Sequence, residues 1–214
     1  MRKQALVSGN YYHIFNRGVE KREIFLNERD YLRFFESMRE FNNVKPIFSL
    51  HLHNQLKKKG VVGVGHLQEK ELVEIICYCL NPNHFHFILK QIAENGISEF
   101  MKRIGGGYTN YFNCKYKRSG VLFQGKFKSA HIKTNAQLLY LSAYVNKNYN
   151  IHGYGNGIWE FSSLPDYIGK RKNNLCDMNV ILEKFKDPKD YADFASKNAL
   201  YMKEKKEDEK YLLE

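Results

Sequence analysis

The stretch ELVEIICYCLNPNHFHFILK (residues 71–90) contains two extended apolar runs separated by a short polar turn. The first run, Glu71 to Leu80, is typical of a buried strand, and after Pro82 an extended path resumes. Successive side chains of a strand point to opposite faces, so His84 and His86 project from one side and the aromatic residues beside them from the other. The pattern predicts two strands, the second of which presents a pair of imidazoles on one face.

Strand and helix patterns alternate on the N-terminal side of this segment. Residues 10–17 alternate in the manner of a first strand. Asn27 is suited to cap a helix in which apolar residues recur every three or four positions as far as Phe41. Residues 47–53 predict a short edge strand. An inserted hairpin or loop is then expected from about residue 55 to residue 69.

The C-terminal side completes an α+β arrangement. Ile97–Asn113 predicts a helix, Val121–Ile132 a strand or hairpin arm, and Ala136–Asn148 a last helix. This order favours a ferredoxin-like core in which helices cover a mostly antiparallel sheet. We expect the core domain to span residues 1–153. Residues 154–214 are expected to form a C-terminal helical extension that packs on it and ends in a frayed, charged tail.

Length and composition exclude several classes of protein. A chain of 214 residues with 43% hydrophobic residues is long enough for one well-packed domain with appendages. No apolar stretch approaches the roughly 20 residues of a membrane helix, and the N-terminus lacks the apolar segment of a signal peptide. We therefore expect a cytoplasmic protein with no membrane partner. The four cysteines form no CxxC pair, which argues against a zinc site built on thiolates.

Positive charge is concentrated in one segment. The formal net charge is +11, yet residues 100–159 contain no Asp or Glu and hold nine of the 34 basic residues, so the rest of the chain is nearly neutral. Aromatic residues are interspersed there, which favours phosphate neutralisation and stacking on unpaired bases. A solvated basic face above core aromatics is the alternative. The candidate nucleic-acid-binding residues are Lys102, Arg103, Lys115, Lys117, Arg118, Lys126 and Lys128.

Two histidines on one strand face can converge on one cation or can be core side chains with buried partners. Two buried imidazoles double the need for hydrogen-bond partners in the interior. His51 and His53 have the same spacing but lack a rigid apolar strand to order them. The remaining histidines are isolated in the sequence, and we interpret them as surface or structural residues: His13, His66, His131 and His152.

The last predicted helix supplies further donors. Tyr144 and Asn148 are four residues apart and share a helix face. If that face points at the histidines, Asn148 can give a carbonyl oxygen to a cation, and Tyr144 can act as the nucleophile. Mixed imidazole and oxygen ligands suit Mg²⁺ or Mn²⁺. Core packing is the alternative for Tyr144, Tyr140 is a rival nucleophile, and Lys147 is a candidate for stabilising developing charge or a solvated side chain.

Five separated motifs of this chain occur in the same order as in a known protein family, and they span most of its length. The chain resembles the single-tyrosine HUH transposases, in particular the REP-associated tyrosine transposases of bacteria. Tyr149 follows the asparagine of the tyrosine helix, where that family usually has proline. The matching motifs are YYHIFNRG at 11–18, PNHFHF at 82–87, LFQGKFKS at 122–129, YVNKN at 144–148 and SSLPDYIGK at 162–170.

The resemblance implies a ferredoxin-like HUH core that nicks and rejoins single-stranded DNA near hairpins through a 5′-phosphotyrosine. It also implies that His84, His86 and Asn148 are ligands of Mg²⁺ or Mn²⁺ and that Tyr144 is the nucleophile. Two alternatives remain, a non-catalytic DNA- or RNA-binding protein of the same fold and a replication-initiator or relaxase nickase. Because the tyrosine follows the histidines, a transposase is favoured over a relaxase. A homodimer is compatible with either function.

Overall fold

A four-stranded antiparallel sheet forms the centre of the molecule. The structure is a computed structural model that describes residues 5–47, 49–59 and 70–211. The strands lie in the order β2-β3-β1-β4, and each neighbouring pair is antiparallel. The predicted α+β class is therefore confirmed. The strands are β1 (Tyr11–Arg17), β2 (Val73–Asn81), β3 (His84–Gln91) and β4 (Lys128–Ile132).

Helices cover both faces of the sheet. Alternation along β2 and β3 sends one set of side chains, including Tyr78, Phe85 and Phe87, into a core shared with α1 and α3. The other set, which includes Ile76 and Ile88, packs against α4 and the C-terminal segment. The helices are α1 (Glu28–Glu40), α2 (Leu50–Lys58), α3 (Gly96–Lys115), α4 (Asn135–Asn146), α5 (Asn148–Ile151), α6 (Leu164–Tyr167), α7 (Asn179–Leu182) and α8 (Pro188–Tyr211).

The edge strand predicted for residues 47–53 is wrong, because residues 50–58 form helix α2. The apolar alternation of this stretch also fits a helical spacing. Leu50 and His53, three residues apart, are both buried, and His53 Nε2 lies 3.0 Å from the carboxylate of Glu40. The predicted insertion at 55–69 begins inside this helix. Phe48 and residues 60–69, which include His66, lie outside the described residues.

Two other predicted boundaries differ from the structure. The strand predicted from Val121 begins only at Lys128, since the preceding residues form a loop with an isolated bridge between Phe123 and Gly18. The predicted last helix is interrupted at Lys147, and the chain continues as the single turn α5. This interruption changes the direction in which the residues after Asn146 project.

The C-terminal segment shares a core with the sheet. Tyr167 and Tyr191 are fully buried and pack with Ile76 and Cys77 of β2. Tyr191 Oη accepts a hydrogen bond of 2.7 Å from Nδ2 of Asn146, which ties α8 to α4. The extension thus covers the helix that carries the predicted nucleophile, whereas the domain boundary at residue 153 stays a prediction. Among the described residues, every helix is too short or too polar to cross a bilayer.

A candidate metal and tyrosine site

Strand pairing places both predicted ligands on the face that α4 covers. In β3, His84 lies opposite Arg17 and His86 lies opposite Phe15 of the central strand β1. Since Ile88 on the same face packs against α4 residues, the imidazoles at positions 84 and 86 point toward the same helix layer. Their ring centroids are 5.1 Å apart. The hairpin therefore presents two imidazoles side by side.

His84 has polar partners at both ring nitrogens. Its Nδ1 lies 2.6 Å from Oδ1 of Asn83, an oxygen that also accepts from the Tyr154 hydroxyl at 2.8 Å. Its Nε2 lies 3.0 Å from Nδ2 of Asn81, a donor, and 3.0 Å from Oδ1 of Asn148, an acceptor. When Nδ1 donates to Asn83, Nε2 is the nitrogen that a cation would bind.

His86 is paired with a histidine from β1. Its Nδ1 lies 2.8 Å from Nε2 of His13, and both side chains are buried. Burial lowers the pKa of His13 to about 4, so this ring is neutral at physiological pH. When His13 accepts from Nδ1 of His86, the opposite nitrogen of His86 has its lone pair available for a cation. His13, interpreted from the sequence as an isolated residue, thus contacts a predicted ligand.

The break after α4 brings Asn148 to His84. Asn148 is fully buried, and its Oδ1 accepts a 2.7 Å hydrogen bond from Nδ2 of Asn81. Its Nδ2 has no hydrogen-bond partner among the described residues. Asn81, also fully buried, therefore directs one amide group at both Asn148 Oδ1 and His84 Nε2, the two atoms that a shared cation would contact.

His152 is a third imidazole that the sequence interpretation assigned to a surface or structural role. It follows α5 directly, four residues after Asn148, and its ring centroid lies 4.7 Å from that of His84. One ligand nitrogen from each of His84, His86 and His152 lies within 4.8 Å of the others. The i, i+4 spacing of Asn148 and His152 was the available signal, since such pairs share a face when the chain is helical.

This donor set fits a divalent cation. His84 Nε2 and Asn148 Oδ1, 3.0 Å apart, and one nitrogen each of His86 and His152, within 4.8 Å of one another and of His84, are potential donors to one ion. The donors are neutral imidazoles and an amide oxygen, so the cation keeps its full charge until an anion joins it. The cluster is therefore compatible with a divalent metal site, and its composition leaves the identity of the ion open.

Tyr144 lies next to the histidines. Its ring centroid is 5.5 Å from that of His86 and 5.9 Å from that of His13, both edge-on. Burial raises the pKa of the Tyr144 phenol above its usual value, and the polar side chain of Asn148 partly opposes this rise. Tyr140, the rival nucleophile, is 39% exposed and lies one turn earlier on α4. The structure thus brings the phenol of Tyr144 beside the imidazoles of His86 and His13.

A cavity of about 370 Å³ opens in front of this cluster. It is lined by the imidazoles and by Tyr144, and Arg17, Lys21 and Lys128 add positive charge, with no Asp or Glu among the lining residues. Lys147, the predicted charge stabiliser, lines a different cavity together with Pro188. Burial lowers the pKa of its amine. The histidine cavity is thus suited to a phosphate-containing ligand.

The seven basic residues predicted to bind nucleic acid divide into two groups. Three of them are engaged within the protein. Arg103 donates to the main-chain carbonyls of Asn43 and Val44, Lys115 pairs with the buried carboxylate of Asp30 at 2.6 Å, and Arg118 donates to the carbonyl of Val121 at 3.0 Å. The other four are exposed at the surface: Lys102, Lys117, Lys126 and Lys128.

Comparison with known proteins shows similarity to transposases. The sequence model of the family described as "Transposase IS200 like" matches residues 42–148, half of the chain. A solved REP-associated tyrosine transposase bound to a REP hairpin is similar with a TM-score of 0.50 and 15% identity, over 83% of this chain and 93% of that one. A putative transposase from Deinococcus radiodurans R1 gives a TM-score of 0.38 and 11% identity, over 64% and 90%. The sequence matches no curated protein.

Proposed function

The chain belongs to the family of IS200-like transposases, and we propose that it nicks and rejoins single-stranded DNA through a covalent bond to Tyr144. The observation that carries this proposal is the position of the Tyr144 ring, 5.5 Å from His86 on the wall of a cavity that holds three imidazoles and three cationic side chains. A phenol beside a cation-binding cluster is the arrangement that transesterification of a phosphodiester requires.

In the proposed reaction, Oη of Tyr144 forms a bond to a backbone phosphorus, and the bond from that phosphorus to the 3′-oxygen breaks. The phenol gives its proton to solvent and the departing 3′-oxygen takes one, so a 3′-hydroxyl and a 5′-phosphotyrosine result. Attack by a 3′-hydroxyl on the phosphotyrosine restores a phosphodiester and the phenol. This exchange conserves the energy of the phosphodiester bond, whereas hydrolysis by water would lose it.

His84, His86, His152 and Asn148 would hold the divalent cation, which we propose to be Mg²⁺ or Mn²⁺. When bound, the cation would polarise the phosphate and neutralise charge on its oxygens. His152 adds a third nitrogen to the two predicted from the sequence, and additional imidazole favours Mn²⁺ over Mg²⁺. All four donors are uncharged, so the phosphate supplies the compensating anion. We therefore expect the cation to bind more tightly once DNA is present.

The chain's own residues prepare the phenol and the phosphate. The Nδ2 of Asn148 is buried beside Tyr144, where it can donate to the phenolate that forms before attack. Arg17 and Lys128 line the cavity and are proposed to orient the phosphate. The DNA is proposed to carry a hairpin, as the hairpin-bound transposase of similar fold suggests.

The second candidate is a DNA-binding protein of the same fold without strand-transfer activity. It is favoured by one observation, the upward shift in the pKa of Tyr144, which opposes formation of the nucleophilic phenolate. Positive charge around the cavity would serve binding in either case. The two functions differ in whether a covalent bond to the DNA forms.

The test is incubation of labelled single-stranded hairpin DNA with protein and Mn²⁺, followed by denaturing electrophoresis. We expect a protein–DNA adduct with the wild type and none with Tyr144→Phe, which lacks only the phenolic oxygen. Tyr140→Phe is the matched control, because the rival tyrosine lies one turn away on the same helix, and it should form the adduct normally. An adduct that persists in Tyr144→Phe would refute the assignment, and DNA binding without any adduct would favour the second candidate.

A further inference from the structure

A second, larger cavity lies on the other side of the loop that precedes β4. Its volume is about 1130 Å³, and it is formed between one face of α3 and residues 121–127. Side chains of α3 that line it include Lys102, Thr109 and Asn110, and the loop contributes Phe123 and Lys126. None of these residues contributes to the metal and tyrosine site.

The two cavities are neighbours that share a wall. Asn16 of β1 lines both of them, and its Nδ2 donates to the carbonyl of Gly125 at 3.2 Å. Along the loop, Gln124 and Lys128 line the histidine cavity, whereas Phe123 and Lys126 line the larger one. A polymeric ligand bound in the histidine cavity can therefore extend across this loop into the larger cavity.

The lining of the larger cavity is complementary to nucleic acid. It contains two exposed lysines, Lys102 and Lys126, and no Asp or Glu. Phe123 and Phe127, which are half-buried and also pack against the apolar core, form part of its wall, and Asn110 adds an exposed side-chain amide. Cations for phosphates combined with aromatic surfaces for bases are the features by which proteins hold single strands.

The floor of the cavity includes Gly105 and Gly106, which lie in the middle of α3. Glycine in a helix interior is destabilising compared with alanine. Packing does not require it here, since a Cβ at either position would meet nothing within 4 Å. At the next residue, Gly107, a Cβ would come within 2.9 Å of the Phe41 ring, so packing explains that glycine. The bare backbone at Gly105 and Gly106 leaves room for close approach by a ligand.

We propose that the larger cavity is a second nucleic-acid subsite, which holds the single-stranded DNA that continues from the phosphate at Tyr144. The inference rests on the proposed function for the identity of the ligand, but it requires only binding and no chemistry. The lysines neutralise backbone phosphates, the phenylalanines stack on unpaired bases, and the two glycines let the strand lie against α3.

The test measures the affinity for fluorescent single-stranded oligonucleotides of increasing length, in EDTA so that no chemistry occurs. For Gly105→Ala/Gly106→Ala and for the bulkier Gly106→Gln, we expect about tenfold weaker binding of long oligonucleotides, the scale of one lost stacking contact. The double alanine variant should also unfold at a higher urea concentration, because alanine favours the helix. Affinity would thus fall while stability rises, which a folding defect cannot produce.

Gly107→Ala is the matched control on the same helix. It should lower the urea midpoint through its clash with Phe41 and leave the affinity for DNA unchanged. Wild-type affinity in both the double alanine variant and Gly106→Gln would overturn the proposed subsite. If the wild type forms no covalent adduct with DNA but binds long oligonucleotides as expected, only the proposed strand-transfer reaction is refuted. The two proposals can therefore fail separately.

Discussion

At the scale of single residues, the site depends on side chains that would not themselves contact a cation. His13 and Asn83 contact Nδ1 of His86 and Nδ1 of His84 at 2.8 and 2.6 Å. Such partners fix the tautomer and orientation of metal-binding histidines, and their loss commonly lowers metal affinity by about 10- to 100-fold. Burial lowers the pKa of His13 to about 4, so its ring is neutral and Nε2 can accept from Nδ1 of His86.

We therefore predict that His13→Ala weakens Mn²⁺ binding by about 10- to 100-fold. Without the ring at position 13, Nδ1 of His86 loses its hydrogen-bond partner, and the orientation of the His86 ring is no longer fixed. Titration of Mn²⁺ followed by electron paramagnetic resonance would measure the affinity directly. His131→Ala is the control, since His131 stacks on Tyr12 in the neighbouring strand and does not line the histidine cavity. Unchanged Mn²⁺ affinity in a folded His13→Ala protein would contradict the role of His13.

The sequence predicted His84, His86, Tyr144 and Asn148 as site residues, but it did not indicate the residues that surround them. The histidine pair was visible because strand alternation is strictly local. His13 is more than 70 residues from its partner, and only the register of β1 against β3 brings them together. His152 was missed for a different reason: the predicted helix ended at Asn148, whereas the structure adds the turn α5, after which His152 lies beside His84.

At the scale of elements, one buried carboxylate fastens α1 to α3. Asp30 has no exposed surface and accepts from the Leu26 amide, the Tyr111 and Tyr116 hydroxyls and the Lys115 ammonium group. Burial alone would raise the pKa of Asp30, but these donors outweigh it, so its pKa lies below the usual value. The carboxylate is therefore more stable in the folded protein than in the unfolded chain.

We predict that Asp30→Ala lowers the free energy of unfolding by about 3 kcal/mol, because the Leu26 amide and the Tyr111 and Tyr116 hydroxyls all lose their buried acceptor. Glu28→Ala, in the same turn but exposed, should stay within about 0.5 kcal/mol of the wild type. Urea denaturation at pH 7 would measure both. A loss below 1 kcal/mol for Asp30→Ala would contradict the structural role of the carboxylate.

The same group has a defined pH signature. The pKa of Asp30 is lower in the folded protein than in the unfolded chain. Its contribution to the free energy of unfolding is therefore complete above about pH 4 and is lost as the pH falls through the lower, folded pKa. Unfolding measured from pH 5 to pH 2 should therefore have a shallower slope in Asp30→Asn than in the wild type.

Local pattern predicted some elements well and others poorly. The cap of α1 was predicted because Asn27 and Asp30 have the spacing of a capping box, and Asn27 N–H donates to Asp30 Oδ2 at 3.2 Å. The start of helix α2 was predicted as a strand because its apolar residues alternate. Over one or two turns, the same residues also match the spacing of a helix. Tertiary contacts of Leu50 and His53 decide between the two, and the local sequence does not contain them.

At the scale of the whole molecule, the two faces of the sheet pack against different helices. One face packs with α1 and α3, and the other carries the histidines beneath α4, whose outer side is covered by α8. The charge asymmetry of the sequence indicated that residues 100–159 meet nucleic acid, but three of the seven selected cations are bound within the protein. Composition locates a charged segment, whereas only packing determines which charges reach solvent.

All of these features support one central claim, that imidazoles from β3, the amide of Asn148 and the phenol of Tyr144 meet at one divalent cation within a single chain. Anomalous diffraction from crystals grown with Mn²⁺ and single-stranded DNA tests it most directly. We predict one strong peak within about 2.3 Å of His84 Nε2 and Asn148 Oδ1, next to the Tyr144 hydroxyl. The claim would be contradicted by DNA-bound crystals in which Mn²⁺ is absent from these atoms or is bound elsewhere in the chain.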